Sequence, residues 1–320
     1  MAVDTAIRIE GVLVKIESSY RTDPTPTGTD DSIILADDGF WGSTMTIENQ
    51  APNLRENVRS GTLMPVKPGI PNGRVVRGTL NLEVRGFDAA YSETDKPEAD
   101  VLIRGSGFSA AVDTTPSSEK WTYAQEDSGF ESYTVWAYGA GNVYKINGCR
   151  SVMIWPMVSG ELGILRFEFI GFLDTAPATA SLPSQTFGAQ VPQSAVGAAF
   201  TIGSWSPDIV TAEFTTGGNL VIKPSANDST GFSEVQFSHF DPRLTLSAKT
   251  VALSTYDPYA DIKAATTRAI DWTHGGSQYN RADLAIASAY LVAEPTHEDQ
   301  DDFTGWGLEY RPIDYSVIWD

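Results

Sequence analysis

The chain has 320 residues, of which 41 are acidic and 22 are basic, so its formal net charge at pH 7 is −19. That charge argues against a protein that grips nucleic acid or an anionic membrane surface, because both partners require a basic footprint. Hydrophobic residues make up 41% of the sequence, which is enough for a large core. The single cysteine, Cys149, excludes a disulfide framework.

The beginning of the sequence does not resemble a secretory leader. Charged residues from Asp4 to Glu17 interrupt the apolar ones, whereas a leader needs an unbroken apolar stretch of about 7–15 residues. No apolar run approaches the roughly 20 residues that span a bilayer as a helix. We therefore expect a protein that is made in the cytoplasm and does not enter a membrane.

The first half of the chain is dominated by alternating apolar and polar residues, the pattern typical of strands. It occurs at Ile7–Ile9, at Val14–Ile16 and most clearly at Arg74–Arg85. The segment Asp95–Arg104 has a capping Asp, a Pro near its first turn and Gly105 after it, which together predict a helix. After the helix we expect a hairpin around Trp121–Tyr138.

Two strands complete the first half, Tyr144–Trp155 and Glu161–Phe172. The second half repeats the order. A strand ends near Leu253, a helix is predicted over Asp257–Ile270, and strands follow at Ala282–Val292 and Gly305–Ile313. A loop rich in Gly, Pro and Asn precedes the long strand of each half, at Pro52–Gly73 and at Gly217–Gly231.

This shared order predicts a divergent internal duplication. The first unit covers residues 1–175, a Pro-containing extended linker covers 176–199, and the second unit covers 200–320. The net charge divides almost equally, with −9 on residues 1–175 and −10 on residues 176–320.

No motif in the sequence predicts catalysis or a metal site. The three histidines, His239, His274 and His297, lack metal-ligand spacing, and no nucleophile elbow or phosphate-binding loop is present. The acidic segment 296–302 lacks the spacing of a calcium loop, so a solvated hairpin tip is favoured over a cation site. We expect no enzyme activity, no metal and no cofactor.

Two other functions remain open at this point. The eight tryptophans allow a β-sandwich that binds carbohydrate or acts as an adhesin. A glycosidase is also possible in principle, because its paired carboxylates are set by tertiary structure rather than by spacing in the sequence.

The segment Leu13–Gly28 resembles the start of the tail tube, or major tail, proteins of long-tailed bacteriophages. Further segments match in order and spacing: Leu63–Gly73, Val101–Phe108, Ser128–Val135, and the stretch from Tyr144–Arg150 to Phe169–Gly171. Together they cover most of residues 11–175. Arg21 stands where the family usually has glycine, and the acidic segment 296–302 is not a feature of the family.

The resemblance implies a mainly β protein, in which each half is a β-sandwich or partial barrel with one flanking helix. It implies a structural protein of the virion, assembled in the host cytoplasm, whose rings share a continuous inner β-barrel and stack into the tail tube that conducts DNA during genome ejection. A duplicated chain would form a pseudo-hexameric homotrimer; the alternative is a hexamer whose second halves decorate the outside. The implied partners are other copies of the chain, the tape measure protein, the tail terminator, and the baseplate or distal tail proteins.

DNA would pass through such a tube without specific binding, which gives the acidic charge a role in repelling phosphate from the wall. The predicted lumen-facing residues are Glu48, Glu83, Glu168, Glu213, Asp283 and Glu309. The same faces carry Arg77, Arg85, Arg166, Lys249 and Arg311. The loop that reaches the neighbouring ring is predicted at Pro52–Gly73, with Arg55, Arg59, Lys67 and Arg74 as its contacts.

Overall fold

The computed structural model describes residues 5–36, 43–48, 53–55, 67–70, 73–87, 90–188, 190–192, 194–197, 199–228, 230–276, 278–300 and 303–320. The fold is mainly β, with 51% in strands and, within the described ranges, two short helices. Its principal feature is a large antiparallel sheet that curls into a half-barrel. Neither helix within the described part of the chain has the length and apolar character that a membrane crossing requires.

The elements up to residue 179 are, in chain order, β1 (Thr5–Arg8), β2 (Gly11–Ile16), β3 (Ser32–Ile33), β4 (Thr44–Glu48), β5 (Asn53–Arg55), β6 (Lys67–Ile70), β7 (Val75–Glu83), α1 (Asp100–Arg104), β8 (Phe108–Asp113), β9 (Lys120–Gln125), β10 (Tyr133–Gly139), β11 (Asn142–Val158), β12 (Ile164–Phe172) and β13 (Ala178–Thr179).

The remaining elements are β14 (Ala199–Ile202), β15 (Ile209–Thr215), β16 (Leu220–Pro224), β17 (Phe232–Phe237), β18 (Arg243–Lys249), α2 (Pro258–Ala264), β19 (Thr267–His274), β20 (Ala282–Leu291), β21 (Thr296–Gln300) and β22 (Phe303–Trp319).

The curled sheet, called here the large sheet, has the order β1-β4-β7-β12-β11-β15-β18-β22-β21. Neighbouring strands in it are antiparallel throughout. Two long strands belong to it only in part: β11 contributes its end up to Val158, and β22 contributes its first residues. The other parts of β11 and β22 run into a second layer of strands.

The second layer has two portions. One is β3-β2-β10-β11-β13, and the other is β14-β19-β20-β22-β9-β8. The layer packs against one face of the large sheet through aromatic rings. The ring of Trp155 lies 4.9 Å from that of Trp272 and 6.4 Å from that of Trp319, and Phe214 lies 5.2 Å from Tyr315. Most buried residues therefore form one core cluster that runs from Ile9 to Trp319.

Both helices are shorter than the sequence predicts. The first starts at Asp100 rather than after Asp95, and its N-cap, Ala99, makes no side-chain capping hydrogen bond. The second does begin after Asp257, whose carboxylate accepts a hydrogen bond from the Ala260 amide. It ends at Ala264 because Ala265 adopts a left-handed conformation, and Thr267–His274 then enters the second layer as a strand.

The prediction that Trp121–Tyr138 forms a hairpin is wrong. Strand β9 pairs with β8 on one side and with the C-terminal end of β22 on the other. Strand β10 pairs with β2 and β11 instead. Alternation identified both strands, but their partners are distant in the sequence and were not predicted. The predicted division of the chain into a first unit (1–175), a linker (176–199) and a second unit (200–320) stays a prediction.

Candidate functional site

The large sheet has a second face that points away from the core, called here the open face. Alternation within each strand separates the two faces. In β4, Met45 and Ile47 are buried whereas Thr44, Thr46 and Glu48 are not. The register extends this face from strand to strand, because paired residues share a side of the sheet.

Five of the six predicted lumen-facing residues lie on this face. Glu48 pairs with Val75 in register, and Glu168 pairs with Thr79. Glu213 pairs with Thr245, which in turn pairs with Glu309. Glu83 belongs to the same alternating set in β7, which includes Arg77 and Thr79.

The sixth residue, Asp283, lies elsewhere. It sits in β20 of the second layer, paired with Thr273 and Ile318, and alternates with the core residues Ala282 and Leu284. It therefore points away from the core on the opposite side of the molecule from the open face. Burial raises the pKa of its carboxyl group, although a hydrogen bond from Thr273 opposes that shift.

The open face is concave in two places. One depression of about 530 Å³ is lined by Pro156, Glu213, Thr245 and Glu309, among others. A second, of about 440 Å³, is lined by Thr46, Arg77, Glu168 and Asn219, among others. Ala293 and Glu294 border the first depression and Asn219 and Leu220 border the second, so each lies where a neighbouring segment rises beside the open face.

The arginines of the open face each have a carboxylate close by. Arg77 Nε lies 2.9 Å from Glu48 Oε1, and Arg166 Nε lies 3.7 Å from Glu168 Oε1. Arg243 contacts Glu309, and its Nη2 lies 2.9 Å from Asp241 Oδ2. Arg311 Nη2 lies 2.8 Å from Asp241 Oδ1. Glu48, Glu168 and Glu309 are thus paired, whereas among the described residues no ion pair involves Glu83 or Glu213, so the charges of this face compensate one another in part.

One corner of the open face is covered by a hairpin. Strands β16 and β17 pair with each other, and their apolar side chains pack on the ends of β7 and β12. Val235 of the hairpin is fully buried against Val75, Ile170 and Phe172. We call Val75, Ile170 and Phe172 the apolar seat, and we call the seat together with the hairpin that covers it the covered corner.

Polar contacts centred on Arg21 hold the same hairpin. The Arg21 guanidinium donates hydrogen bonds to the Phe232 carbonyl oxygen at 2.8 Å and to Thr230 Oγ1 at 2.9 Å, and its Nη1 lies 3.2 Å from Asp228 Oδ2. On its other side it pairs with Asp174, with Nε 2.9 Å from Oδ2. Burial alone would lower the pKa of Arg21, but the Asp174 hydrogen bond and charge raise it overall.

The backbone of β17 is also held. The Val235 amide donates to Tyr20 Oη at 2.7 Å, and Arg150 donates to the Val235 carbonyl oxygen. Burial raises the pKa of the Tyr20 hydroxyl above its ordinary value, so this group stays protonated. The hairpin thus contacts the first half of the chain through an apolar seat, an ion-pair cluster and backbone hydrogen bonds.

Glu17 fixes the turn that presents Tyr20 and Arg21. Its buried carboxylate accepts hydrogen bonds from the amides of Arg21 and Gly148, each at 2.7 Å, and from Ser132 Oγ at 2.6 Å and Thr134 Oγ1 at 2.8 Å. Arg21 itself has φ +63°, a left-handed conformation that favours glycine. The hydrogen bonds to Glu17 therefore hold Arg21 in a strained backbone conformation from which its side chain reaches the hairpin.

A second corner of the open face is different. At the start of β18 and in the middle of β22, Arg243, Glu309 and Arg311 lie at the same end of the large sheet as Val75, Ile170 and Phe172. We call this set, together with Asp241, the charged corner. Its side chains pair with one another and remain partly exposed, with 42% of the Arg243 side chain accessible.

The predicted inter-ring loop is described only in part. Arg55 ends β5 and Lys67 begins β6, and these two strands pair with each other, but the side chains of both residues and all of Arg59 lie outside the described residues. Arg74 is half-buried next to β7. Of the acidic segment, Thr296–Gln300 forms β21 at an edge of the large sheet, and residues 301–302 lie outside the described residues.

The covered corner was missed at the sequence level. The alternation of Leu220 with Ile222 and of Val235 with Phe237 indicates a hairpin with one apolar face, but not what that face packs on. Sequence analysis identified Arg21 as a departure from the glycine usual in the tail tube family, but it predicted no role for the side chain. No protein-family model matches the chain, and no curated protein matches its sequence.

Proposed function

We propose that the chain is a structural protein whose copies join edge to edge into a ring, and that the rings stack into the tail tube of a long-tailed bacteriophage. One observation carries the proposal. Inside the chain, the edge of β11 at Ile154–Val158 pairs with β15 at Thr211–Thr215, which merges strands from both halves into one curled sheet. A join of the same kind between copies would extend the sheet into a closed barrel and remove its edges.

The order of strands supports an internal duplication. The first half contributes β4, β7, β12 and the end of β11 to the large sheet, and the second contributes β15, β18, the start of β22, and β21. In the second layer, β2, β10 and the start of β11 correspond to β14, β19 and β20. Each helix follows the corresponding long strand.

The edges available for joining copies are at opposite sides of the large sheet. Strand β21 is paired only with β22, and β1 only with β4, among the pairings of the described residues. Both edges expose unpaired backbone groups, which a neighbouring copy would satisfy. Because each chain has two halves, a ring of three copies would contain six of them. The alternative is a ring of six copies in which the first halves form the tube and the second halves lie outside it.

The open face suits the wall of a conduit. DNA is held by clusters of unpaired arginine and lysine side chains, and the arginines of this face have carboxylate partners within 4 Å. A wall of this kind offers the phosphate backbone few cations to bind, so DNA would pass without being retained. In this proposal the tape measure protein fills the tube before ejection, and the terminator and baseplate proteins close its ends.

The carbohydrate-binding alternative receives less support. Trp121, Trp155, Trp205, Trp272, Trp306 and Trp319 are all buried in the core. Among the described tryptophans only Trp136 is half-buried, and the Lys145 ammonium lies 3.6 Å from the centre of its ring. A sugar-stacking platform needs exposed rings.

Electron microscopy of the purified chain, combined with native mass spectrometry, tests the proposal. We expect rings or tubes with a central hole, and a ring mass of three times the 34.6 kDa chain. A mass of six chains would favour the hexameric arrangement. Isolated globules at every concentration, with a mass of one chain, would contradict the proposal.

A further inference from the structure

Strand β1 lies along the edge of β4, at one side of the large sheet. Its four residues pair with β4 in antiparallel register, from Thr5 opposite Ile47 to Arg8 opposite Thr44. Among the pairings of the described residues, β4 is the one strand that β1 contacts in this way. We call the side of β4 that β1 occupies the joining edge.

In the second half, strand β15 holds the place that β4 holds in the first. Each pairs with a long strand on one side, β4 with β7 and β15 with β18. Each also turns two alternate residues into the core, Met45 and Ile47 in β4 and Ala212 and Phe214 in β15. A loop that carries a hairpin follows both strands. The remaining edge of β15 is therefore the counterpart of the joining edge.

That counterpart is already joined to another unit. The end of β11, from the first half, pairs with β15 in antiparallel register, from Trp155 opposite Phe214 to Val158 opposite Thr211. Strand β1 pairs with β4 over the four matching positions, beginning at Ile47. On β4, β1 therefore occupies the place that the end of β11 occupies on β15.

The segment that precedes β14 shows where the counterpart of β1 lies when the edge is joined. Strand β14 corresponds to β2 in the second layer, so the residues before β14 correspond to β1. They do not lie on β15, which pairs with β11 and β18. Instead, Ser194 bridges to Leu162, and the Ala195 amide donates to the Glu161 carbonyl oxygen at 2.7 Å. Both contacts are with the turn between β11 and β12, away from the edge.

The strand that would reach β4 in a ring is β21 of a neighbouring copy. Within the chain, β21 lies beside β22 and β18 in the order in which the end of β11 lies beside β12 and β7. It has five residues, Thr296–Gln300, whereas β1 has four. Because β1 is short and has one neighbour, it opens at a lower free-energy cost than a strand that is paired on both sides. Strand β21 can therefore take its place.

We infer that β1 is a removable cover of the joining edge: it pairs with β4 in the free chain and leaves β4 when β21 of a neighbouring copy pairs there. The inference rests on the proposed ring and adds a control on its assembly. An uncovered edge pairs readily with other strands, so the cover keeps free copies apart. Each joining step must first open the four pairs between β1 and β4.

A reversible disulfide between β1 and β4 tests the inference. Ala6→Cys together with Thr46→Cys places two cysteines at positions that pair in register. In the matched control, Thr44→Cys together with Thr79→Cys joins β4 to β7, two strands that stay paired in the ring. The native Cys149 is fully buried and does not compete for either disulfide. Ring formation is measured by electron microscopy and native mass spectrometry, with and without dithiothreitol, once a non-reducing gel has shown the disulfide.

We expect the oxidised β1–β4 variant to form roughly tenfold fewer rings than its reduced form, because its joining edge stays covered. The control should form rings in both states. Normal ring formation by the oxidised β1–β4 variant would overturn the inference and leave the proposed function intact. An equal loss from both oxidised variants would also overturn it, since the effect would not be specific to β1. If the unmodified chain forms no ring at all, the proposed function itself fails.

Deletion of the cover gives the converse test. A chain without residues 1–8 loses the pairing between β1 and β4 and keeps the other pairings of the large sheet, so it should melt near the unmodified chain. We expect its rings to appear at a roughly tenfold lower concentration, because no part of the population is held in the covered state. A folded shortened chain that needs the same or a higher concentration would contradict the inference.

Discussion

The covered corner and the charged corner lie at the same end of the large sheet, yet one is buried under a hairpin and the other is open to water. Val75, Ile170 and Phe172 form an apolar seat that water would solvate unfavourably, so it is stable only with a partner. Arg243, Glu309 and Arg311 pair with one another and with Asp241, and need no cover. Three apolar residues therefore form a surface that must be covered, whereas three charged residues form one that can stay exposed.

The largest effect is expected at the centre of the covered corner. Val235→Asp places a carboxylate in a fully buried apolar cluster and should lower the free energy of unfolding by at least about 3 kcal/mol. Val221→Asp is the matched control, because Val221 lies on the same hairpin but is 45% accessible. Urea unfolding of both variants measures the difference. Equal losses would mean that the hairpin does not pack as described.

Removing the polar contacts that Arg21 makes with the β16–β17 hairpin should have the next largest effect. Arg21→Ala eliminates the bonds to Asp174, Asp228 and Phe232 and should lower the free energy of unfolding by about 1–3 kcal/mol. Arg21→Gly loses the same bonds but relieves the left-handed backbone, so it should be more stable than the alanine variant by about 1 kcal/mol. A glycine variant less stable than the alanine variant would contradict the strained turn.

The pH dependence of stability provides an independent check of the ion pair between Arg21 and Asp228. Hydrogen bonds from Thr230, and then the Arg21 charge, lower the pKa of Asp228. The stability it contributes is therefore present above its unfolded pKa, near 3.9, and is lost as the pH falls through the lower folded value. We expect Asp228→Asn to lower the melting temperature at pH 7 by less than Arg21→Ala does. The loss of melting temperature that Asp228→Asn causes should shrink as the pH falls from 7 to below the folded pKa of Asp228, and a loss that stays constant would rule out the charge as its cause.

In the charged corner the same kind of change should have little effect. Arg243→Ala removes pairs with Asp241 and Glu309, but these pairs are exposed and water replaces them. The urea midpoint should move less than it does for Arg21→Ala. A loss as large as that of Arg21→Ala would remove the distinction between the two corners.

A small gain in stability is expected at Asp283, the predicted lumen residue that lies away from the open face. Burial raises the pKa of its carboxyl group, so its charged form is disfavoured in the folded chain above that pKa. Asp283→Asn should raise the melting temperature slightly at pH 7, and the gain should vanish below its unfolded pKa, near 3.9. A loss of stability at pH 7 would show that the Asp283 charge is stabilising through Arg281, which lies 3.6 Å away.

Sequence reasoning was most successful where the pattern is local. Alternation placed Val76, Leu80 and Leu82 in the core and Arg77, Thr79 and Glu83 on the other face. It failed where pairing is distant. Trp121–Tyr138 was predicted as one hairpin, yet β9 pairs with the last residues of the chain. Alternation specifies which side of a strand is apolar, but it carries no information about the neighbouring strand.

The candidate site shows the same division. Alternation placed each of the six acids on the polar side of its own strand, because a period of two is a property of the strand itself. The register then decided that five of them share one face of the large sheet. The arginine partner of Glu309 was not predictable, because Arg243 lies in a strand separated from β22 by helix α2 and three further strands. The ion pairs that neutralise the open face follow from the register, and the register is set by packing across the whole sheet.

Local patterns are enough to predict a mainly β chain with two helical segments, strands with one apolar face, and loops rich in glycine and proline, since each depends on a few neighbouring residues. No such pattern predicts that the strands of both halves merge at β11 and β15, or that one hairpin folds back onto the first half. Both outcomes depend on contacts between residues far apart in the chain. Such contacts form when complementary apolar surfaces and unpaired edges meet, which no local pattern records.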